Sequence, residues 1–173
     1  MITIDNLLEV KKYVNNLKVV VFDLDDTLFN EVDYVKSGFK QVAANYPNID
    51  NMYEKLYDAF LNGEKAIDYV LEKEGMQEEK ENCLAIYRNQ IPTISLSDEA
   101  LSLLTYLEDK KLGIITDGRP EGQRAKIEAL GLTKYFEKII ITDELGGKEF
   151  RKPNEKAFVL MKEYFGCNYD EMV

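Results

Sequence analysis

Asp23 and Asp25 stand one residue apart where the apolar run Val19-Val20-Val21-Phe22 ends, and Asp26 follows directly. In an extended segment, residues two apart point to the same side. The Asp23 and Asp25 carboxylates therefore face one place. Neighbouring carboxylates repel, and both ionise readily only with a cation beside them. The pattern suits a divalent metal and a division of labour: one acid stays ionised as a nucleophile, and the other holds or receives a proton for a leaving group. A nearby lysine would hold that nucleophile together with an anionic substrate. The plainer reading is a turn or a helix cap, but a cap needs one acid and not this repeat after a buried strand.

Two further polar clusters follow apolar runs. Thr116-Asp117-Gly118 comes after Leu112 to Ile115, and the loop from Asp143 to Lys152 comes after Lys138 to Ile141. Parallel α/β sheets place their sites at the carboxyl ends of strands, where all three clusters fall. Each has a bland alternative. Thr and Asp are common caps, so Thr116 to Pro120 also reads as a strand-to-helix turn. Lys152 shares its loop with Lys148 and Arg151, and a solvated lysine is the alternative there. Arg119 reads either as a surface side chain or as a group that reaches substrate.

The elements that must position these residues follow from periodicity. Ile4, Leu7, Leu8 and Val10 to Val14 suggest an opening helix, and Lys18 to Phe22 the first strand. From Asp33 the apolar spacing turns helical. Stripes at Val35-Phe39-Val42-Tyr46, Tyr53-Leu56-Tyr57-Phe60, Ile67-Val70-Leu71 and Cys83-Leu84-Tyr87 predict four short helices, punctuated by Pro47, Gly63, Gly75 and Pro92. After Pro92 helices and strands alternate. Ser97 is a fair N-cap, Pro120 and Pro153 are placed to open helices, and Gly131 and Gly166 to close them. Alternation of this kind implies a parallel sheet. The expected fold class is α/β: a Rossmann-like parallel-sheet core, residues 1–29 and 91–173, with an all-helical cap inserted over 30–90.

Composition narrows the chemistry. The 173 residues contain no histidine. Ser-His-Asp and Cys-His chemistry is thereby excluded, as are His-ligated zinc sites. A metal site built from this chain is expected to be all-oxygen, which favours Mg²⁺ or a similar hard cation. The formal net charge of −10 repels polyanions and argues against nucleic acid as a partner. Small phosphorylated substrates remain open, because a local site overrules the global field. Cys83 and Cys167 form no metal-type pair and read as small buried hydrophobes in a reducing compartment. No apolar run approaches membrane-spanning length, and the amino-terminal residues are unlike a signal peptide. The expected location is cytoplasmic, with no membrane partner.

The segments FDLDDTLF, ITDG and RKPNEKAF, in that order, resemble motifs one, two and three of the haloacid dehalogenase-like hydrolase superfamily, and the helical insert is similar to that family's small cap of the first type. The resemblance covers nearly the whole chain. It implies that Asp23 is a nucleophile forming an aspartyl-phosphate. It makes Asp25 the general acid and base, and puts Asp23 and the Asp25 backbone carbonyl on Mg²⁺. It also implies that Thr116 binds the transferring phosphoryl group with backbone N–H groups at Asp117 and Gly118. Lys152 would be the motif-three lysine, since the K-P-x-x-x-x-F context favours it over Lys148. A halide leaving group needs no proton and an alkoxide does, so Asp25 argues for phosphate-ester hydrolysis. The implied substrate is a small phosphorylated metabolite such as a nucleotide or sugar phosphate. Phe29 and Tyr34 lie near enough to motif one in sequence to be substrate contacts. The alternatives are a catalytically silent or truncated member of the family and a non-catalytic phospho-acceptor or binding module.

The family's fourth motif, acids at the end of a further strand, is not reached before Val173. Asp143 and Glu144 are the available substitutes, both weak. A chain ending there is expected to be a fragment or a truncated homologue. Its first strand would present an open apolar edge, through which copies would self-associate.

Overall fold

The structure, a computed structural model, describes residues 6–173; Ile4, placed above in an opening helix, lies outside them. Two compact units are present. One comprises the chain up to Glu31 together with Ser95–Val173, and the other is Val32–Ile94. Glu31 belongs with the first unit because its backbone N–H donates to the Asp26 side chain (2.9 Å). The second boundary falls at Ile94–Ser95, past Pro92.

The first unit is built on three parallel strands, β1 (Val19–Phe22), β2 (Lys111–Thr116) and β3 (Lys138–Ile141), in the order β1-β2-β3. Val19 pairs with Lys111 and Phe22 with Ile114, while Gly113 pairs with Lys138 and Thr116 with Ile141. This register brings the residues after Phe22, at Thr116 and after Ile141 to one end of the sheet. The strands read as near-continuous apolar runs because both faces are covered. On one face Val19, Ile115 and Ile140 meet Ala157, Met161 and Phe165. Gly113 is what lets Met161 in: a Cβ there would lie 2.6 Å from its sulfur. Phe22 also stands edge-on to Phe136, with ring centroids 5.7 Å apart.

Among the described residues this unit has three α-helices, which follow four of the other unit in chain order. α5 (Asp98–Tyr106) starts where Ser97 Oγ accepts from the Ala100 N–H at 3.1 Å, a cap worth about 1 kcal/mol. α6 (Pro120–Ala129) carries Pro120 in its first turn, and Gly131 takes the left-handed φ of 60° just beyond it. α7 (Lys156–Phe165) begins three residues later than Pro153 suggests, because the Asn154 side chain accepts from the Lys156 N–H (2.9 Å) and sets the start there. The opening segment is a short 3₁₀ helix, Leu7–Lys12, and not an α-helix.

The outer edge of β1 is met by the chain's own last residues. Lys18 N–H donates to Glu171 O (2.9 Å), Val173 N–H to Val19 O (3.2 Å) and Val21 N–H to Val173 O (2.6 Å), and Met172 bridges Val19 in parallel. The apolar edge that the sequence leaves open is thus covered as far as Val21, since Met172 and Val173 run alongside it directly after a short 3₁₀ helix, Tyr169–Glu171.

The other unit is all helix among its described residues. α1 (Glu31–Asn45), α2 (Met52–Leu61), α3 (Ala66–Glu74) and α4 (Lys80–Arg88) fall on the four predicted stripes. Val35, Phe39, Val42, Leu56, Val70 and Leu71 form its core. Gly75 ends α3 at φ 67°. Cys83 and Cys167 are both free and buried.

Candidate active site

The chain leaves β1 still alternating. Leu24 is fully buried, while Asp23 and Asp25 on either side of it face away from that core, as period-two geometry requires. Asp26 breaks the pattern with φ 52°, a left-handed conformation that aspartate tolerates better than most residues. From there its Oδ1 accepts the Glu31 N–H and caps α1. The three acids therefore split: two face one place, and the third holds a helix start.

Lys152 arrives from the loop after β3. Its Nζ donates to Asp23 Oδ1 (2.6 Å) and to the Ile115 carbonyl (3.1 Å). Its backbone N–H donates to Asp117 Oδ1 (3.1 Å), and the same oxygen accepts from Thr142 Oγ1 (2.7 Å). Asp117 thus ties the end of β2 to the loop that carries the lysine. It is Lys152 that reaches Asp23; Lys148 lies exposed in the 3₁₀ turn Lys148–Phe150. Asp23 and Lys152 also border a cavity of about 360 Å³ whose walls are mostly apolar, among them Phe158, Met172 and Val173.

Asp143 is committed elsewhere. Both its carboxylate oxygens accept from Arg151 at 2.7 Å, and Glu144 pairs with Arg124. Both of the substitute acids suggested above are thus ion-paired with arginines. The Arg151 hydrogen bonds hold the Asp143 carboxyl below its ordinary value. A carboxyl depressed by folding adds stability above its unfolded pKa and loses it as pH falls through the folded one. Asp143→Asn is therefore expected to lower the thermal midpoint at pH 6, with the gap to the unmodified chain closing as pH falls below 3.8. A gap that persists at low pH would remove the ion pair as its cause.

Asp25 is held from α6. Lys126 Nζ donates to its Oδ1 (2.7 Å) and Gln123 Nε2 to its Oδ2 (2.9 Å). Gln123 Nε2 also donates to Thr116 Oγ1, so the amide joins the ends of β1 and β2. Lys126 lies 3.9 Å from Glu31 as well. Partial burial, followed by the Asp25 charge, pushes the Glu31 carboxyl above its ordinary value. Gln123 and Lys126 were not anticipated. The signal was a helix whose core-facing positions i and i+3 carry an amide and an amine.

The remaining predicted residues fall in different places. Gly118 sits at φ 139°, strained for any other residue, and a Cβ would meet Gln123 at 3.2 Å. Arg119 is exposed at the start of α6. Phe29 is buried (3% exposed), with Lys126 Nζ 5.9 Å from its ring centroid. Tyr34 belongs to the helical unit, where its ring stands edge-on to Tyr87.

The donor set suits a hard cation. It consists of oxygens, and among the described residues no three acidic, histidine or cysteine side chains converge as a cage. Mg²⁺ commonly takes one or two protein oxygens and completes its shell with water and substrate phosphate. The Asp25 carboxylate carries a donor on each oxygen, whereas Lys152 is placed on Asp23 Oδ1, so the Asp23 carboxylate is the side chain that fits.

Residues 20–173 match the family model described as haloacid dehalogenase-like hydrolase. The chain belongs to that family. The glyceraldehyde 3-phosphate phosphatase of Methanothermobacter thermautotrophicus is 29% identical over 174 residues, which cover 91% of this chain and 75% of that protein. A hydrolase of the superfamily's subfamily IA from Geobacter sulfurreducens superposes with a TM-score of 0.68 at 17% identity, over 91% of this chain and 76% of that one. The haloacid dehalogenase-like hydrolase YfnB from Bacillus subtilis, solved bound to magnesium, gives a TM-score of 0.59 at 19% identity over 87% and 73%. These two likenesses establish the shared fold: a Rossmann-like parallel sheet flanked by helices. Among the described residues of this chain no helix is long and apolar enough to cross a membrane.

Proposed function

We propose that this protein is a Mg²⁺-dependent phosphatase for a small phosphorylated metabolite, acting through an aspartyl-phosphate on Asp23. The observation that carries the reading is the Lys152 ammonium on the Asp23 carboxylate at 2.6 Å, at the end of a parallel sheet where Thr116 and Asp25 share one amide. The lysine ammonium holds the nucleophilic carboxylate in place, and the same cation attracts a phosphate anion. The relative that acts on glyceraldehyde 3-phosphate supports a small sugar phosphate as the first substrate class to try.

An Asp23 oxygen attacks phosphorus, the ester P–O bond breaks, and the departing alkoxide takes a proton through Asp25, to which the phosphomonoester monoanion passes its own proton on binding. Thr116 Oγ1 accepts from Gln123, which leaves its hydrogen to donate to a phosphoryl oxygen. Lys152 balances the charge gathered on the phosphoryl oxygens. In the second half, Asp25 takes a proton from the water that attacks the aspartyl-phosphate, releasing phosphate and restoring Asp23. Mg²⁺, held by the Asp23 carboxylate and the Asp25 carbonyl, would supply charge neutralisation at the phosphate.

The test is phosphate release from glyceraldehyde 3-phosphate, other sugar phosphates, nucleoside monophosphates and an aryl phosphate, with Mg²⁺ and with a chelator. Release from at least one metabolite ester, stopped by the chelator, is expected. No release from any ester would overturn the phosphatase reading, and chelator-resistant release would overturn the metal.

A further inference from the structure

Two polar side chains of α6 are buried. Gln123 is 3% and Lys126 5% exposed, at positions where a core-facing stripe ordinarily carries apolar residues. An amide and an amine are costly to bury unless each is partnered. Both converge on one carboxylate, Lys126 on Asp25 Oδ1 and Gln123 on Asp25 Oδ2. One donor on each oxygen fixes the plane of the carboxylate, which a single contact would leave free to rotate. The Gln123 amide also reaches Thr116 Oγ1, and the absence of a Cβ at Gly118 leaves room for its stem.

We propose that Gln123 and Lys126 are positioning residues. Together they set the orientation of the Asp25 carboxylate and lock it to the Thr116 hydroxyl, so that the group serving the leaving oxygen and the group holding the phosphoryl are aligned by one clamp. The kinetic consequence rests on the phosphatase reading; the structural one rests on the clamp alone.

The experiment compares Lys126→Met, Gln123→Met and Lys126→Arg with the unmodified chain. It measures kcat and KM for an alkyl and an aryl phosphomonoester, thermal midpoints, and crystal structures of the variants. Lys126→Met is expected to lower kcat on the alkyl ester by ~10²-fold, the lower range for general acid assistance, and on the aryl ester by less than ~10-fold. KM should change little. Gln123→Met should also raise KM, because Thr116 loses its fixed partner. Lys126→Arg, which keeps the cation, should recover part of the alkyl rate. In the Lys126→Met crystal structure the Asp25 carboxylate should be rotated or disordered. Equal losses on both esters, or an Asp25 carboxylate in unchanged orientation, would overturn the proposal. If the unmodified chain hydrolyses no ester, the phosphatase reading fails, and the orientation of Asp25 in the variant crystals alone decides the clamp.

Discussion

Asp23→Asn is expected to end turnover while leaving a folded chain. The amide has nearly the size of the carboxylate but is no nucleophile, and removing a nucleophile costs on the order of 10⁶-fold in kcat. Stability should hardly change. The Asp23 and Lys152 side chains are 44% and 27% exposed, and an ion pair that open to water contributes about 0–1 kcal/mol. Lys152 keeps its contacts to the Ile115 carbonyl and to Asp117, so its loop should stay in place. Phosphate release, thermal unfolding and mass spectrometry of acid-quenched enzyme check the three parts. The unmodified chain should show a phosphorylated species during turnover, and the variant none. Undiminished hydrolysis by Asp23→Asn would displace Asp23 as the nucleophile.

The residues most legible in the sequence are those whose position is fixed by an element boundary. Asp23, Asp25 and Lys152 follow, and Thr116 ends, strands that are buried on both faces, and such strands stand out as unbroken apolar runs. The insert helices were legible for a related reason: a unit that buries one stripe per helix must repeat apolar residues every three or four positions. Gln123 and Lys126 were not legible. A Gln and a Lys in a helix ordinarily belong to a solvated face, and what turns them inward is a carboxylate 98 and 101 residues away. The start of α7 was misplaced for a local reason, since the Asn154 cap lies beyond Pro153 and outweighs it. The two roles of the motif-one acids, facing a site and capping a helix, differ by the left-handed φ at Asp26, which no periodicity reveals. Asp143 looked available from its place at the end of β3; only the fold shows Arg151 closing on both its oxygens.

Asp25→Ala is the second large effect, and its two consequences should separate. On the proposed mechanism it removes the proton donor, so hydrolysis of alkyl phosphates should fall ~10²–10⁴-fold, the usual range for general acid–base assistance. An activated aryl phosphate, whose leaving group needs less protonation, should lose much less. Stability should fall as well, unlike in Asp23→Asn. The Lys126 side chain is only 6% exposed, and losing Asp25 removes the carboxylate 2.7 Å from its ammonium. Breaking one side of a buried ion pair costs about 3–5 kcal/mol, and the 21% exposure of the Asp25 side chain puts this case toward the lower end. Asp25→Asn should lose the same alkyl rate but less stability, because its amide oxygen still accepts from one of the two α6 donors. The double variant Asp25→Ala with Lys126→Met then isolates the two effects, as neighbouring substitutions in one network are not additive. Its thermal midpoint should recover relative to Asp25→Ala, since the buried charge has gone, while the alkyl rate should not recover at all. A double variant that regained rate together with stability would mean that Asp25 serves the fold and not the leaving group.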